Sequence, residues 1–233
     1  MPDVPANLRM RFERWDAEGR PPQKAFAWEK PSWQKYLGNR SILETLPKPI
    51  DRAGVLEPFQ LVHDQDSALD AYIASYLWGY ANANFGPYRA ARVIRLNTDP
   101  DFAAELHELA KLAMTKGGNA AFEYVVGKRQ SNRKFFDQWG PAFATKFISF
   151  ATKVSDQVPT TTIMDSIVVD WFREHCKAIG PLWLNWNSAG SYRRYTECTA
   201  EWAEYLGIEP EEVEQLIFGK DVPPEVLQYT RIG

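Results

Sequence analysis

The sequence predicts an all-α protein, and three observations carry that reading. Apolar residues recur at three- and four-residue spacing through most of the chain after residue 66. Residues that start and stop helices bracket those stretches. No alternating apolar segment is closed by a two-residue hairpin turn, and the β-branched pair Val168-Val169 lies inside a helical pattern. Connections are short and no internal repeat or low-complexity tract interrupts them, so a compact bundle of about eight helices in two packed groups is expected.

The elements follow in order. Residues 1–66 hold Pro2, Pro5, Pro21, Pro22, Pro31, Pro47, Pro49 and Pro58, which lack an N–H and fix φ, and the segment is expected to be irregular and to wrap the rest. Residues 67–233 are expected to form the helical helix-hairpin-helix domain. Leu69, Tyr72, Ile73, Tyr76 and Leu77 mark one face of a first helix, ending between Asn82 and Gly86. Asp99-Pro-Asp-Phe reads as a helix start with Asp at the cap and Pro in the first turn; Phe102, Leu106, Leu109 and Leu112 follow, and Gly117-Gly118 stops the helix. Further helices are expected over about 120–126, 132–138, 145–153, 165–178, 192–206 and 210–218.

Composition excludes several classes. The chain has 27 Lys+Arg against 30 Asp+Glu, a net charge of -3 and a pI of about 5.7. Any nucleic-acid contact must therefore come from local basic patches. Two cysteines, Cys176 and Cys198, are too few for a disulfide framework or a four-cysteine metal site, and a reducing, cytoplasmic setting is expected. The apolar runs fall far short of the ~20 residues that span a bilayer, and no membrane partner is expected. His63, His107 and His175 show no metal-ligand spacing, so neither a metal nor a cofactor is expected. The Gly-x-Ser-x-Gly, Gly-Lys-Ser/Thr and Gly-x-Gly-x-x-Gly motifs are absent. Aromatics make up 14% of the chain, many in polar company, as in Trp183-Leu-Asn-Trp-Asn and Ser191-Tyr-Arg-Arg-Tyr. Such mixtures cap small cores, and they also stack on bases.

One region carries chemistry. It runs Phe135-Phe-Asp-Gln-Trp-Gly-Pro-Ala-Phe-Ala-Thr-Lys-Phe-Ile-Ser-Phe, then Val158-Pro-Thr-Thr-Thr-Ile-Met-Asp-Ser-Ile-Val-Val. A helix, a Gly-Pro turn and a second helix lead into a loop and a capped third helix, with the hairpin over about 132–153. Lys146 is expected in the first turn of the second helix, where the dipole and burial oppose its protonated form and make it a candidate nucleophile. Asp165 precedes the apolar run of the third helix as its natural N-cap. The two helix starts, 19 residues apart, can bring an amine beside a carboxylate.

These residues resemble the helix-hairpin-helix DNA glycosylases, and within them the 8-oxoguanine DNA glycosylase-like branch. In that family a hairpin of Pro, Gly and small residues ends in Thr-Lys or an equivalent, and a catalytic Asp follows at this separation. Pro141-Ala-Phe-Ala-Thr-Lys146 and Asp165 fill those places. The resemblance implies a compact multi-helix glycosylase fold acting on double-stranded DNA that carries a damaged or modified base, with 8-oxoguanine the first guess. It also implies a bifunctional enzyme, glycosylase and lyase at once. Lys146 would attack the sugar C1′, and Asp165 would stabilise the cationic sugar. Phe150, four residues after the lysine, would form a wall of the base pocket. In the Asn-rich turn Asn82-Ala-Asn-Phe-Gly-Pro-Tyr-Arg89, Asn84 would fill the gap left by the flipped base and Arg89 would touch its estranged partner.

The chain departs from the family at Ala142 and Ala144, which stand where glycines bring main-chain N–H groups to a DNA phosphate, with Gly140 supplying the turn instead. Ile167 stands where a phosphate-contacting His often follows the Asp. Phosphates are then expected at the hairpin N–H groups of Gly140, Ala142 and Ala144 and at basic clusters: Arg89, Arg92 and Arg95; Lys128, Arg129, Arg133 and Lys134; Arg193 and Arg194. A monomer is expected. The alternative reading is a non-catalytic helix-hairpin-helix module that grips the DNA backbone.

Overall fold

The computed structural model describes residues 3–80, 85–99 and 101–219. These residues are helical, with no named strand among them and only two isolated bridges, Phe26 with Ile50 and Thr98 with Asp101. Twelve α-helices follow one another: α1 Ala6–Ala17, α2 Lys30–Leu37, α3 Ile42–Thr45, α4 Arg52–Gln60, α5 Gln65–Tyr80, α6 Gly86–Leu96, α7 Phe102–Lys116, α8 Gly118–Ser131, α9 Pro141–Lys153, α10 Ser166–His175, α11 Ala189–Leu206 and α12 Pro210–Phe218. A single 3-10 turn, Lys177–Ile179, follows α10.

The first 66 residues hold more regular structure than their prolines suggest. Their four short helices are separated around Pro21-Pro22, at 38–41 and at Pro47–Pro49. Pro31 sits in the first turn of α2, where its missing N–H is no loss. The segment is shared between two helical groups. One is built around α5, which packs on α4, α7 and α9; in the other, α1, α10 and α11 each pack on α12.

Helix α5 was expected to bury one face, yet eleven of its sixteen residues are buried, including Ala68, Ala71, Ala74 and Ser75. An amphipathic stripe cannot describe a helix packed on all sides; small residues here admit neighbouring helices on faces that the large residues do not occupy. Asp101, rather than Asp99, caps α7, accepting from the Ala103 N–H at 2.9 Å. Gly117, at φ 88°, ends α7 in a conformation that suits glycine, and α8 starts on the next residue.

The stretch 132–138, expected to be helical, is a run of turns. Phe136 and Gln138 take φ of 53° and 61°. The rings of Phe135, Phe136 and Trp139 are all buried, with Phe136 and Trp139 packed against Phe102. Asn97 holds the main chain from outside, accepting from the Asp137 N–H at 2.7 Å and donating to the Asp137 carbonyl at 2.9 Å. Burial of three rings outweighs a strain of order 1–3 kcal/mol per left-handed residue. The helix-hairpin-helix is thus α8, turns and α9. Helix α9 begins at Pro141 rather than Thr145, with Gly140 as an extended N-cap.

Candidate active site

Helices α9 and α10 bring the two expected catalytic residues together. Lys146 Nζ lies 3.7 Å from Asp165 Oδ2, with side chains only 11% and 13% exposed. That is ion-pair contact, longer than a good hydrogen bond. Asp165 Oδ1 accepts from the Val168 N–H at 3.1 Å, so the carboxylate caps α10 with one oxygen and faces the amine with the other. Because α9 starts at Pro141, Lys146 falls in its second turn. The expected field of the helix N-terminus fades beyond the first turn and is therefore weak here.

Helix α5 shapes the space around the lysine stem. A Cβ on Gly79 would lie 2.9 Å from Phe143 Cε1 and 3.0 Å from Lys146 Cδ, so the bare backbone at this position makes room for both. Lys146 Nζ stands 5.5 Å from the Phe143 ring centroid. That ring stacks on Tyr76 at 4.3 Å and on Tyr80 at 4.8 Å. Burial and the neighbouring Tyr80 push the Tyr76 hydroxyl above its ordinary range, and Tyr76 stays neutral at any ordinary pH.

Phe150 lies one turn beyond Lys146 and is buried, edge-on to Trp78 at 5.2 Å and beside Phe59 at 5.8 Å. The Arg52 guanidinium lies over the other ring system of this group, 5.0 Å from the Trp78 centroid. It also pairs with Glu214 of α12 and donates to Gln23 at 2.9 Å. Burial raises the Glu214 carboxyl above the usual glutamate range; Arg52 opposes that, while Asp165 adds to it and Lys146 opposes it. Glu214 therefore shares an electrostatic neighbourhood with both expected catalytic groups. Trp78 Nε1 is buried and has no hydrogen-bond acceptor among the described residues.

The expected DNA-facing residues separate. Gly140 is half-buried, and a Cβ there would meet nothing within 4 Å, which leaves room for a close main-chain approach. Ala142 is also half-buried, in the first turn of α9. Ala144 is fully buried, and its N–H donates to the Gly140 carbonyl at 3.1 Å. Arg89 donates to the Tyr80 hydroxyl at 3.2 Å, tying α6 to the ring stack. Asn84 lies outside the described residues. Of the basic clusters, Arg92, Arg95, Arg133 and Lys134 are exposed. Lys128 pairs with Glu105, Arg129 donates to the Phe135 carbonyl, Arg193 pairs with Glu123, and Arg194 donates to the Pro181 carbonyl. Those four are engaged within the chain. No group of three or more His, Cys, Asp or Glu among the described residues is arranged to hold a metal ion.

Gly79, Phe143 and the Arg52–Glu214 pair were not singled out from the sequence. Only Gly79 left a signal, as a glycine inside an apolar helix, where it costs about 1 kcal/mol relative to alanine and needs a packing reason. Arg52 and Glu214 lie 162 residues apart, and no local pattern joins them.

No curated protein and no solved structure matches the chain. A family model described as "OGG: Putative 8-oxoguanine DNA glycosylase OGG-like protein" matches residues 19–218. That span holds the hairpin, the Lys146–Asp165 pair and all but the first of the helices entire, and the chain belongs to this OGG-like family of DNA glycosylases.

Proposed function

We propose that the protein is a bifunctional DNA glycosylase and abasic-site lyase that removes an oxidised or modified base, 8-oxoguanine the first to test, from double-stranded DNA. The observation that carries this reading is the Lys146–Asp165 contact, an amine and a carboxylate 3.7 Å apart and nearly buried.

A base stacked in a duplex is out of reach, so the nucleotide must be extruded, at a cost of a few kcal/mol that pocket stacking and phosphate contacts offset. The unprotonated Lys146 amine then attacks C1′. The new C–N bond forms as the glycosidic bond breaks, and that bond's electron pair leaves with the base, which takes up the proton shed by the substituted amine. Opening of the sugar ring gives a Schiff base, and elimination of the 3′ phosphate cuts the strand. Asp165 stays ionised and opposes the positive charge that develops on the sugar.

Phe150 and Trp78 would offer rings to a base, and Trp78 Nε1, which meets no acceptor among the described residues, and the Arg52–Glu214 pair would offer polar groups to its edge. Both rings are buried, so admitting a base requires them to part. Gly140, Ala142 and the exposed Arg92, Arg95, Arg133 and Lys134 would hold phosphates. Both cysteines are free thiols, which fits a reducing compartment such as the cytoplasm.

The test uses labelled duplexes, each carrying one modified base, with borohydride trapping of the Schiff base. Wild type should give a covalent adduct, and Lys146→Gln none. Asp165→Asn should trap at least about 100-fold more slowly, the scale of losing one electrostatic stabiliser. Asn caps helices as well as Asp does, so α10 should stay intact in that variant. Duplex binding without an adduct on any lesion would overturn the reading in favour of a non-catalytic binding module.

A further inference from the structure

The segment 159–165 joins α9 to α10 and has no regular secondary structure, yet Thr161, Thr162, Ile163 and Met164 are buried. Buried main-chain groups outside helices and sheets need partners. Here side-chain hydroxyls from two helices supply them. From α9, the Thr152 hydroxyl accepts from the Thr161 N–H at 3.0 Å. The Thr145 hydroxyl accepts from the Met164 N–H at 3.2 Å, and its one proton lies between the Met164 carbonyl at 3.0 Å and the Ala142 carbonyl of its own helix at 3.1 Å. From α11, Tyr192 donates to the Thr162 carbonyl at 3.2 Å and Tyr195 to the Ile163 carbonyl at 2.7 Å. Thr162 and Thr199 share a hydrogen bond at 3.0 Å. The Thr161 side chain fills the space that a Cβ on Gly118 would need, 2.1 Å from its oxygen.

Two of these contacts sit in a telling place. Thr145 immediately precedes Lys146, and Met164 immediately precedes Asp165. The Thr145–Met164 link therefore ties the two chains together one residue upstream of both groups of the 3.7 Å pair. Four further side chains hold the same strand, so the direction in which Asp165 leaves it is fixed from both sides.

We propose that the Thr145 hydroxyl is a positioning residue for the reaction: by clamping Met164 it sets the distance between Lys146 and Asp165, with Tyr195 holding the opposite side of the same strand. The role in the reaction rests on the glycosylase reading; the clamp itself does not. Thr145→Val keeps the shape and removes the hydroxyl, whereas Thr145→Ser keeps the hydroxyl. Misplacement of a reacting group by about 1 Å costs up to about 100-fold in rate.

The test has two arms. In the first, single-turnover borohydride trapping is measured on a duplex with an abasic site, alongside affinity for that duplex. Thr145→Val should trap about 10- to 100-fold more slowly with affinity unchanged within about twofold, and Thr145→Ser should restore the rate. In the second arm, hydrogen exchange is followed without DNA on the peptide spanning 159–166. Its exchange should quicken in Thr145→Val and not in Thr145→Ser. Should the valine variant fail to fold, Tyr195→Phe removes a hydroxyl from the other side of the strand and should show the same pattern more weakly. Unchanged exchange in a folded Thr145→Val, or trapping at the wild-type rate, would overturn the proposal. If wild type itself traps no DNA, the glycosylase reading fails, and the exchange arm alone decides the clamp.

Discussion

Asp165 divides two tasks between its oxygens, one capping α10 and the other facing Lys146 at 3.7 Å. The capping bond orients the carboxylate, so a structural role and the proposed chemical role fall on one side chain. Gly79 serves the lysine in another way. An alanine there raises helix propensity by about 1 kcal/mol, but its Cβ meets Phe143 and the Lys146 stem at 2.9 and 3.0 Å. We expect Gly79→Ala to leave the melting temperature almost unchanged, the two effects opposing, while borohydride trapping slows about tenfold because the stem must move. A trapping rate equal to that of wild type would show that Gly79 does not shape the amine's position. The pairing of Lys146 with Asp165 was legible in the sequence because each residue carries a local signature: Thr-Lys after Gly-Pro, and an Asp before an apolar run. The residues around them were not, because an aromatic stack or a buried Arg–Glu pair leaves no spacing rule in a chain.

At the scale of elements, expectation and structure part for two reasons, one tertiary and one local. Stretch 132–138 has helix-compatible residues but folds as turns, since burying Phe135, Phe136 and Trp139 around Phe102 requires a backbone that no helix supplies. The start of α9 moved to Pro141 for a local reason that the sequence does contain, Gly-Pro serving as N-cap and first residue. The join between α7 and α8 is similarly constrained. Gly118 admits the Thr161 side chain, and an added methyl would meet its oxygen at 2.1 Å. Gly118→Ala should therefore lower stability by about 1–3 kcal/mol, the usual scale of overpacking. Denaturant unfolding measures this, and a variant as stable as wild type would mean that the start of α8 can shift freely away from the 159–165 segment.

Over the whole molecule, the two ends of the described chain meet. Arg11 of α1 donates to the carbonyls of Leu216 and Ile217 at 2.8 Å and of Gly219 at 3.1 Å, satisfying the end of α12. The Arg52–Glu214 pair joins α4 to the same helix. Glu214 makes stability depend on pH. Burial raises its carboxyl above the usual glutamate range, so the folded chain keeps this proton to a higher pH than the unfolded chain does. Its stabilising contribution is complete below the unfolded value and is lost as pH rises through the folded one. Thermal unfolding across that window should show wild type losing stability relative to Glu214→Gln, whose amide does not titrate; parallel curves would show that burial of this carboxyl has no such effect. The sequence by itself determined the all-α class, most of the helices after residue 66 and the Lys146–Asp165 pair, because periodicity, caps and a short helical excursion are local physics. Only the tertiary structure decided that α5 is packed on all sides, that 132–138 is not helical, and that Glu214 and Arg52 meet near the lysine. Those outcomes depend on which distant rings and charges share one buried volume, and desolvation acts on that volume rather than on neighbours in the chain.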